Sequence, residues 1–148
     1  MSQRVPYYDA APEGMKMMMD MEKYTKQSSI NRTTRELIKI RVSQINGCAF
    51  CLDMHTSEAR KMGETEQRIY CLSAWNECDF YSSEEKAALE LSEHITLIPT
   101  KRVPDDLYHR VREHYDEKQY VDLVLITNQI NSWNRISIAM GNQAASRS

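Results

Sequence analysis

Thr33-Thr-Arg-Glu-Leu-Ile-Lys-Ile-Arg-Val-Ser-Gln-Ile-Asn-Gly-Cys-Ala-Phe-Cys-Leu-Asp-Met-His55 is the stretch that decides the fold. Thr33 to Glu36 matches a capping box, in which a hydroxyl and a carboxylate three residues apart satisfy each other's free amides. Leu37, Ile38, Ile40, Val42 and Ile45 follow as the apolar positions of a helix. Asn46-Gly47 should end it, because glycine suits the left-handed backbone of a C-terminal cap. A new helix is expected from about Cys48 to Gly63. The short turn predicts that the two helices pack antiparallel, which lays Glu36 alongside the second one.

The same stretch concentrates chemistry. Cys48 and Cys51 stand three apart at a predicted helix N-terminus, so their sulfurs share a face and can approach bonding distance. Free amides at a helix start favour a thiolate. His55, one turn beyond Cys51, can take the thiol proton or return one to a leaving group. Two thiols, an imidazole and a carboxylate can together make, break and protonate a disulfide. Blander explanations exist for each residue alone. Glu36 can be merely the end of a capping box, His55 a surface histidine, and the cysteines small core residues. Zinc is the chemical rival, with Cys71 or Cys78 as a fourth ligand. Structural zinc sites, however, usually draw their ligand pairs from separate elements. A c-type haem is disfavoured, since no histidine directly follows the second cysteine.

Outward from this core the pattern stays helical. Residues 1 to about 13 read as an extended arm interrupted by Pro6 and Pro12. A helical segment with Met15, Met18, Met19 and Glu22 runs toward Ser28, its methionines forming an adaptable apolar face. Thr65 to Glu77 reads as one helix carrying Ile69, Leu72 and Trp75. Ser82-Ser-Glu-Glu85 is a second capping box, opening a helix to Pro99. Pro104 suits the first turn of a helix with Leu107, Val111 and Tyr115. A last helix spans about Glu117 to Gly141, with a loose tail after it. Its Asn128, Gln129, Asn131, Asn134 and Arg135 predict an internal polar network or a subunit interface, and Trp133 is a candidate for a nearby cleft. Cys71 and Cys78 read as buried thiols. His94, His109 and His114 have no thiol or carboxylate partner in sequence. No stretch alternates long enough for a strand, and no repeat or linker appears. The expectation is one all-α domain over residues 1–148, of six to seven helices. The Met-rich helix and the broadly apolar last helix predict a homo-oligomer.

Bulk properties narrow the partners. The 148 residues suit one domain with a real core, at 41% hydrophobic and 27% charged. A net charge of −2 and a pI near 6.1 give no footprint for nucleic acid or an anionic membrane. No signal peptide or membrane span is evident, so a cytoplasmic location is expected. In a reducing compartment paired cysteines are more often catalytic or metal-binding than structural.

Ser43-Gln-Ile-Asn-Gly-Cys-Ala-Phe-Cys-Leu-Asp-Met-His55, continuing Thr-Ser-Glu-Ala-Arg-Lys-Met-Gly63, resembles the core of the alkylhydroperoxidase D-like (AhpD-like) proteins, within the carboxymuconolactone decarboxylase superfamily. Leu72-Ser-Ala-Trp75, Glu84-Glu-Lys-Ala-Ala-Leu89 and Ile130-Asn-Ser-Trp-Asn-Arg135 extend the likeness over about residues 12 to 140. The resemblance implies an all-helical oligomer and peroxidase chemistry on the cysteine pair. Cys51 matches the peroxide-reacting cysteine and Cys48 the partner that closes the disulfide. His55 and Glu36 match members of the proton relay. Where the family pattern has a second histidine, just before the latter cysteine, this chain has Phe50. The decarboxylase branch lacks the pair, so decarboxylation is not expected. The leading expectation is a thiol-dependent peroxidase that takes hydroperoxides, is reset by an external dithiol or protein reductant, and needs no metal or organic cofactor. The alternatives are a dithiol–disulfide oxidoreductase without peroxide specificity and a non-enzymatic zinc-stabilised helical module.

Overall fold

The computed structural model describes residues 3–147 and is helical throughout, with no strand among them. Its α-helices are α1 (Tyr7–Ala10), α2 (Pro12–Lys26), α3 (Arg32–Asn46), α4 (Ala49–Lys61), α5 (Glu66–Tyr70), α6 (Ser83–Thr96), α7 (Ile98–Lys101), α8 (Asp105–Arg112) and α9 (Glu117–Met140). A 3₁₀ segment, Leu72–Glu77, joins α5 to α6. With the two four-residue turns α1 and α7 set aside, seven helices remain, as the sequence predicts.

Helix α3 is the axis of the molecule and packs against α4, α6 and α9. Its side chains sort into three faces. Ile38 and Val42 join Ala88 and Leu91 of α6, Leu107 and Val111 of α8, and Leu123, Ile126 and Ile130 of α9 in one core. Leu37 and Ile40 join Ala59, Ile69, Leu72, Trp75 and Leu89 in a second. Each fully buried leucine or isoleucine here contributes roughly 1.5–3 kcal/mol. The third face carries Glu36, Lys39 and Ser43, all polar, and it is this face that becomes the site.

Several boundaries differ from those predicted. Pro6 and Pro12 do not block structure; Pro6 caps α1 and Pro12 is the first residue of α2, where its missing N–H costs nothing. Met1 and Ser2, the start of the expected arm, lie outside the described residues, as does the final Ser148. The expected helix over Thr65–Glu77 breaks at Cys71, which caps α5 at φ −92°, and the 3₁₀ segment that follows is itself kinked at Ala74, φ −122°. Helix α6 opens with the predicted Ser82–Glu85 capping box but stops at Thr96, and Pro99 sits in the separate turn α7. Of the polar residues of α9, Asn131, Asn134 and Arg135 join an internal network, Gln129 donates to the Met18 carbonyl of α2, and Asn128 is exposed. Asn46 donates to both Asn131 and Asn134, Asn134 donates to Ser43, and Asn131 donates to Thr96. This network ties α3, α6 and α9 together behind the site. Val121 and Ile138 of α9 and Met17, Met19 and Met21 of α2 remain exposed on the single chain. No helix among the described residues is long and apolar enough to cross a membrane.

Candidate redox site

Asn31, not Thr33, caps α3; its side chain accepts the Thr33 N–H at 2.8 Å. The expected Thr33–Glu36 capping box therefore does not form, and Glu36 is free to turn toward α4. At the other end Gly47 adopts φ 68°. The Gly47 amide donates to the Gln44 carbonyl and the Cys48 amide to the Ser43 carbonyl, the paired bonds of a Schellman cap. Cys48 thus closes α3 with its amide and opens α4 with its sulfur, which accepts the Cys51 N–H at 3.3 Å. Helix-start stabilisation of a thiolate falls on Cys48 by this contact, although the sequence puts Cys51 inside the first turn.

The four predicted residues come together. Cys48 and Cys51 are disulfide-paired, with their Cα atoms 5.3 Å apart, and both are buried. His55 lies one turn from Cys51 and is also buried. Its Nδ1 sits 3.3 Å from Glu36 Oε2. The two atoms are not aligned as a full hydrogen bond, and neither has another partner. A buried imidazole nitrogen and a buried carboxylate oxygen left facing each other can hold and pass a proton.

Behind Glu36 stands a group that the sequence reading missed. Lys39, only 5% exposed, places its ammonium 3.5 Å from Glu36 and 3.2 Å from Glu22 of α2. Trp133 of α9 donates its indole N–H to the other Glu22 oxygen at 3.0 Å. His55, Glu36, Lys39, Glu22 and Trp133 form one continuous line. Burial pushes the Glu36 carboxyl up, but the His55 contact and the Lys39 ammonium outweigh it and hold the group below its ordinary value. Glu22 is lowered in the same way, with burial opposed by Lys39, the Trp133 N–H and Lys26. Both carboxylates are therefore ionised at neutral pH, and Glu36 can accept the His55 N–H.

This line forms the floor of a cleft of about 850 Å³. Of the two cysteines only Cys51 lines it, beside His55, Lys39 and Trp133. Met19, Phe50 and Met54 make the wall apolar. Phe50 thus faces the cleft from the position where the family pattern has a histidine, and supplies packing surface instead of a proton carrier. Trp133 near a cleft was legible in the sequence. Lys39 carried a weaker signal, a lysine amid Leu37, Ile38 and Ile40, which implies a buried partner. Glu22 had none, because the contact spans two helices. Cys71 and Cys78 are half-buried instead of core thiols and lie outside the cleft lining. Among the described residues no three His, Cys, Asp or Glu side chains converge as a metal-holding group.

The chain belongs to the carboxymuconolactone decarboxylase family, whose sequence pattern matches residues 12–94. It is 90% identical over 147 residues to the uncharacterized protein YdfG of Bacillus subtilis, covering 99% of this chain and 100% of that one. A crystal structure from Agrobacterium tumefaciens, of a protein of unknown function suggested to be the antioxidant defence protein AhpD, superposes with a TM-score of 0.93 at 36% identity. That match covers 99% of this chain and 100% of the other. The chain thus has the AhpD-like fold. The debrominase Bmp8 superposes with a TM-score of 0.79 at 17% identity, over 93% of this chain and 74% of that enzyme. This last likeness is one of fold alone, and fold does not choose the substrate.

Proposed function

We propose that the protein is a thiol-dependent peroxidase that reduces hydroperoxides at Cys51. The observation that carries this reading is that Cys51 opens onto the cleft one turn from a His55–Glu36 pair, while its disulfide partner Cys48 lies behind it. His55 takes the Cys51 thiol proton, with Glu36 orienting the ring through Nδ1. The Cys51 thiolate attacks the outer oxygen of the hydroperoxide, and the O–O bond breaks. Sulfur is oxidised to a sulfenic acid, and the leaving alkoxide takes the proton back from His55 as an alcohol. Cys48 then attacks the Cys51 sulfur, its thiol proton going to the departing hydroxide, so that the S–S bond forms and water leaves.

An external dithiol or protein reductant resets the pair. Its thiolate enters by the cleft and attacks Cys51, and Cys48 leaves as a thiolate that accepts the Cys51 amide hydrogen. The second thiol of the reductant then releases Cys51. No metal or organic group takes part in these steps. The test is consumption of an organic hydroperoxide with dithiothreitol and with a panel of other dithiols. The expected result is one dithiol oxidised per hydroperoxide reduced. Rapid thiol–disulfide exchange without peroxide turnover, whichever dithiol is supplied, would overturn the reading in favour of a general dithiol–disulfide oxidoreductase.

A further inference from the structure

The ionised side chains around the cleft are unevenly partnered. Its three carboxylates all have cations. Glu22 and Glu36 share Lys39, and Glu58 contacts Lys61 at 3.7 Å. Three of its cations, Lys26, Arg32 and Arg35, have no carboxylate in ion-pair contact among the described residues. These three are clustered. Lys26 ends α2, Arg32 begins α3, and Arg35 is one turn further along α3. Arg35 is half-buried and donates one guanidinium N–H to the Ile30 carbonyl at 2.7 Å, leaving other donors of the same fork unused. Burial holds the Arg35 guanidinium below its ordinary value, and the like charge of Arg32 acts in the same direction against the pull of Glu36 and Glu22.

The cationic end is set apart from the reacting sulfur along the helices. His55 marks the level of Glu36 by direct contact, Cys51 lies one turn beyond on α4, and Arg32 one turn the other way on α3. Along the helices, eight residues of rise set Arg32 about 12 Å from Cys51, and five set Arg35 about 7.5 Å from it. Between them the cleft wall carries Met54 and Trp133.

We infer that the cleft takes amphipathic organic hydroperoxides with an anionic end, the carboxylate held by Arg35 with Arg32 and Lys26 and the peroxide group reaching Cys51. This rests on the peroxidase reading, whose chemistry at sulfur is unchanged; what is added is a site for the far end of the substrate. The oxygen transferred, the alcohol formed and the dithiol consumed balance as before. Small neutral peroxides lack the carboxylate and gain nothing from this end.

The test compares ω-hydroperoxydecanoic acid with its methyl ester at fixed dithiothreitol. A charge-assisted hydrogen bond to carboxylate predicts kcat/KM for the acid at least about tenfold above the ester, carried by KM and shrinking with added salt. Arg35→Gln should collapse the acid-to-ester ratio toward unity, and Arg32→Gln, at an exposed position, should reduce it without depending on the Arg35 packing. Equal kcat/KM for acid and ester in the unmodified protein would overturn the inference, as would a ratio untouched by both substitutions. If neither compound turns over, the peroxidase reading fails on its own, and binding still decides the site. Decanoate should then quench Trp133 fluorescence at a concentration at least about tenfold below methyl decanoate, and Arg35→Gln should abolish the difference. Equal quenching by the two would overturn the anion site.

Discussion

The chain carries two pairs of cysteines, and the fold treats them in opposite ways. Cys48 and Cys51 sit at a junction where a Schellman cap closes one helix and a sulfur opens the next. Both are buried, one faces the cleft, and His55 and Glu36 stand ready to handle protons. Cys71 and Cys78 flank an irregular 3₁₀ segment and are half-buried. Burial, and then the neighbouring Cys71, push the Cys78 thiol above its ordinary value, so less of it is thiolate at neutral pH. Cysteine count and proximity alone do not make a redox site. Backbone amides that fix one sulfur, a proton carrier within a turn of the other and an open path to it make the difference.

The strongest way to break this comparison is to delete one thiol at a time. Cys51→Ser should lower peroxide turnover by at least about 10³-fold, as loss of a nucleophile does. Cys71→Ser and Cys78→Ser should leave turnover within about twofold, since neither thiol contacts the proposed machinery. A large loss from either of the latter would make the second pair a participant. Next in size is the proton relay. His55→Ala and Glu36→Gln should slow peroxide reduction by about 10²–10³-fold while a strong oxidant still closes the disulfide. Stopped-flow rates against disulfide formation by diamide separate these effects.

Lys39 sharpens the comparison through stability. Glu22 and Glu36 have folded values held below their ordinary 4.5. They therefore contribute stability that is present above pH 4.5 and lost as pH falls through the depressed folded values. Lys39→Met removes the shared ion-pair partner of two largely buried carboxylates and should cost about 3–5 kcal/mol at neutral pH. It should also raise both carboxyl values, so that the variant recovers stability on acidification where the unmodified protein loses it. Urea unfolding across that range reads both signs. Gly47→Ala is smaller, about 1 kcal/mol, because alanine must enter φ 68° at the turn that presents Cys48. Last, Met17 and Val121 are 73% and 53% exposed on the single chain. We propose that a second copy covers them, which light scattering at micromolar concentration should read as a dimer or larger; a monomer would contradict it.

Much of this was legible in the sequence, for reasons that can be named. Asn46-Gly47 announces a helix stop because left-handed backbone costs glycine little, and Cys48, Cys51 and His55 share a face by helical period alone. The Asn131 and Asn134 network follows from polar residues in a helix too apolar to expose them. What was misread depended on competition or distance. Thr33 and Glu36 fit a capping box, but Asn31, two residues earlier, took the cap and released Glu36. The double use of Cys48 was not legible either, since its amide closes one helix and its sulfur opens the next. Lys39 and Glu22 meet across two helices, which no local pattern encodes.

The central claim is that Cys51, and not the other three thiols, meets the peroxide. Mass spectrometry of the reduced Cys48→Ser protein, after one equivalent of hydroperoxide and a sulfenic-acid trap, tests it directly. The account predicts the trapped adduct on Cys51, with Cys71 and Cys78 unmodified. An adduct on Cys71 or Cys78 with Cys51 intact, or one on Cys48 in the converse Cys51→Ser protein with none on Cys51 here, would contradict it.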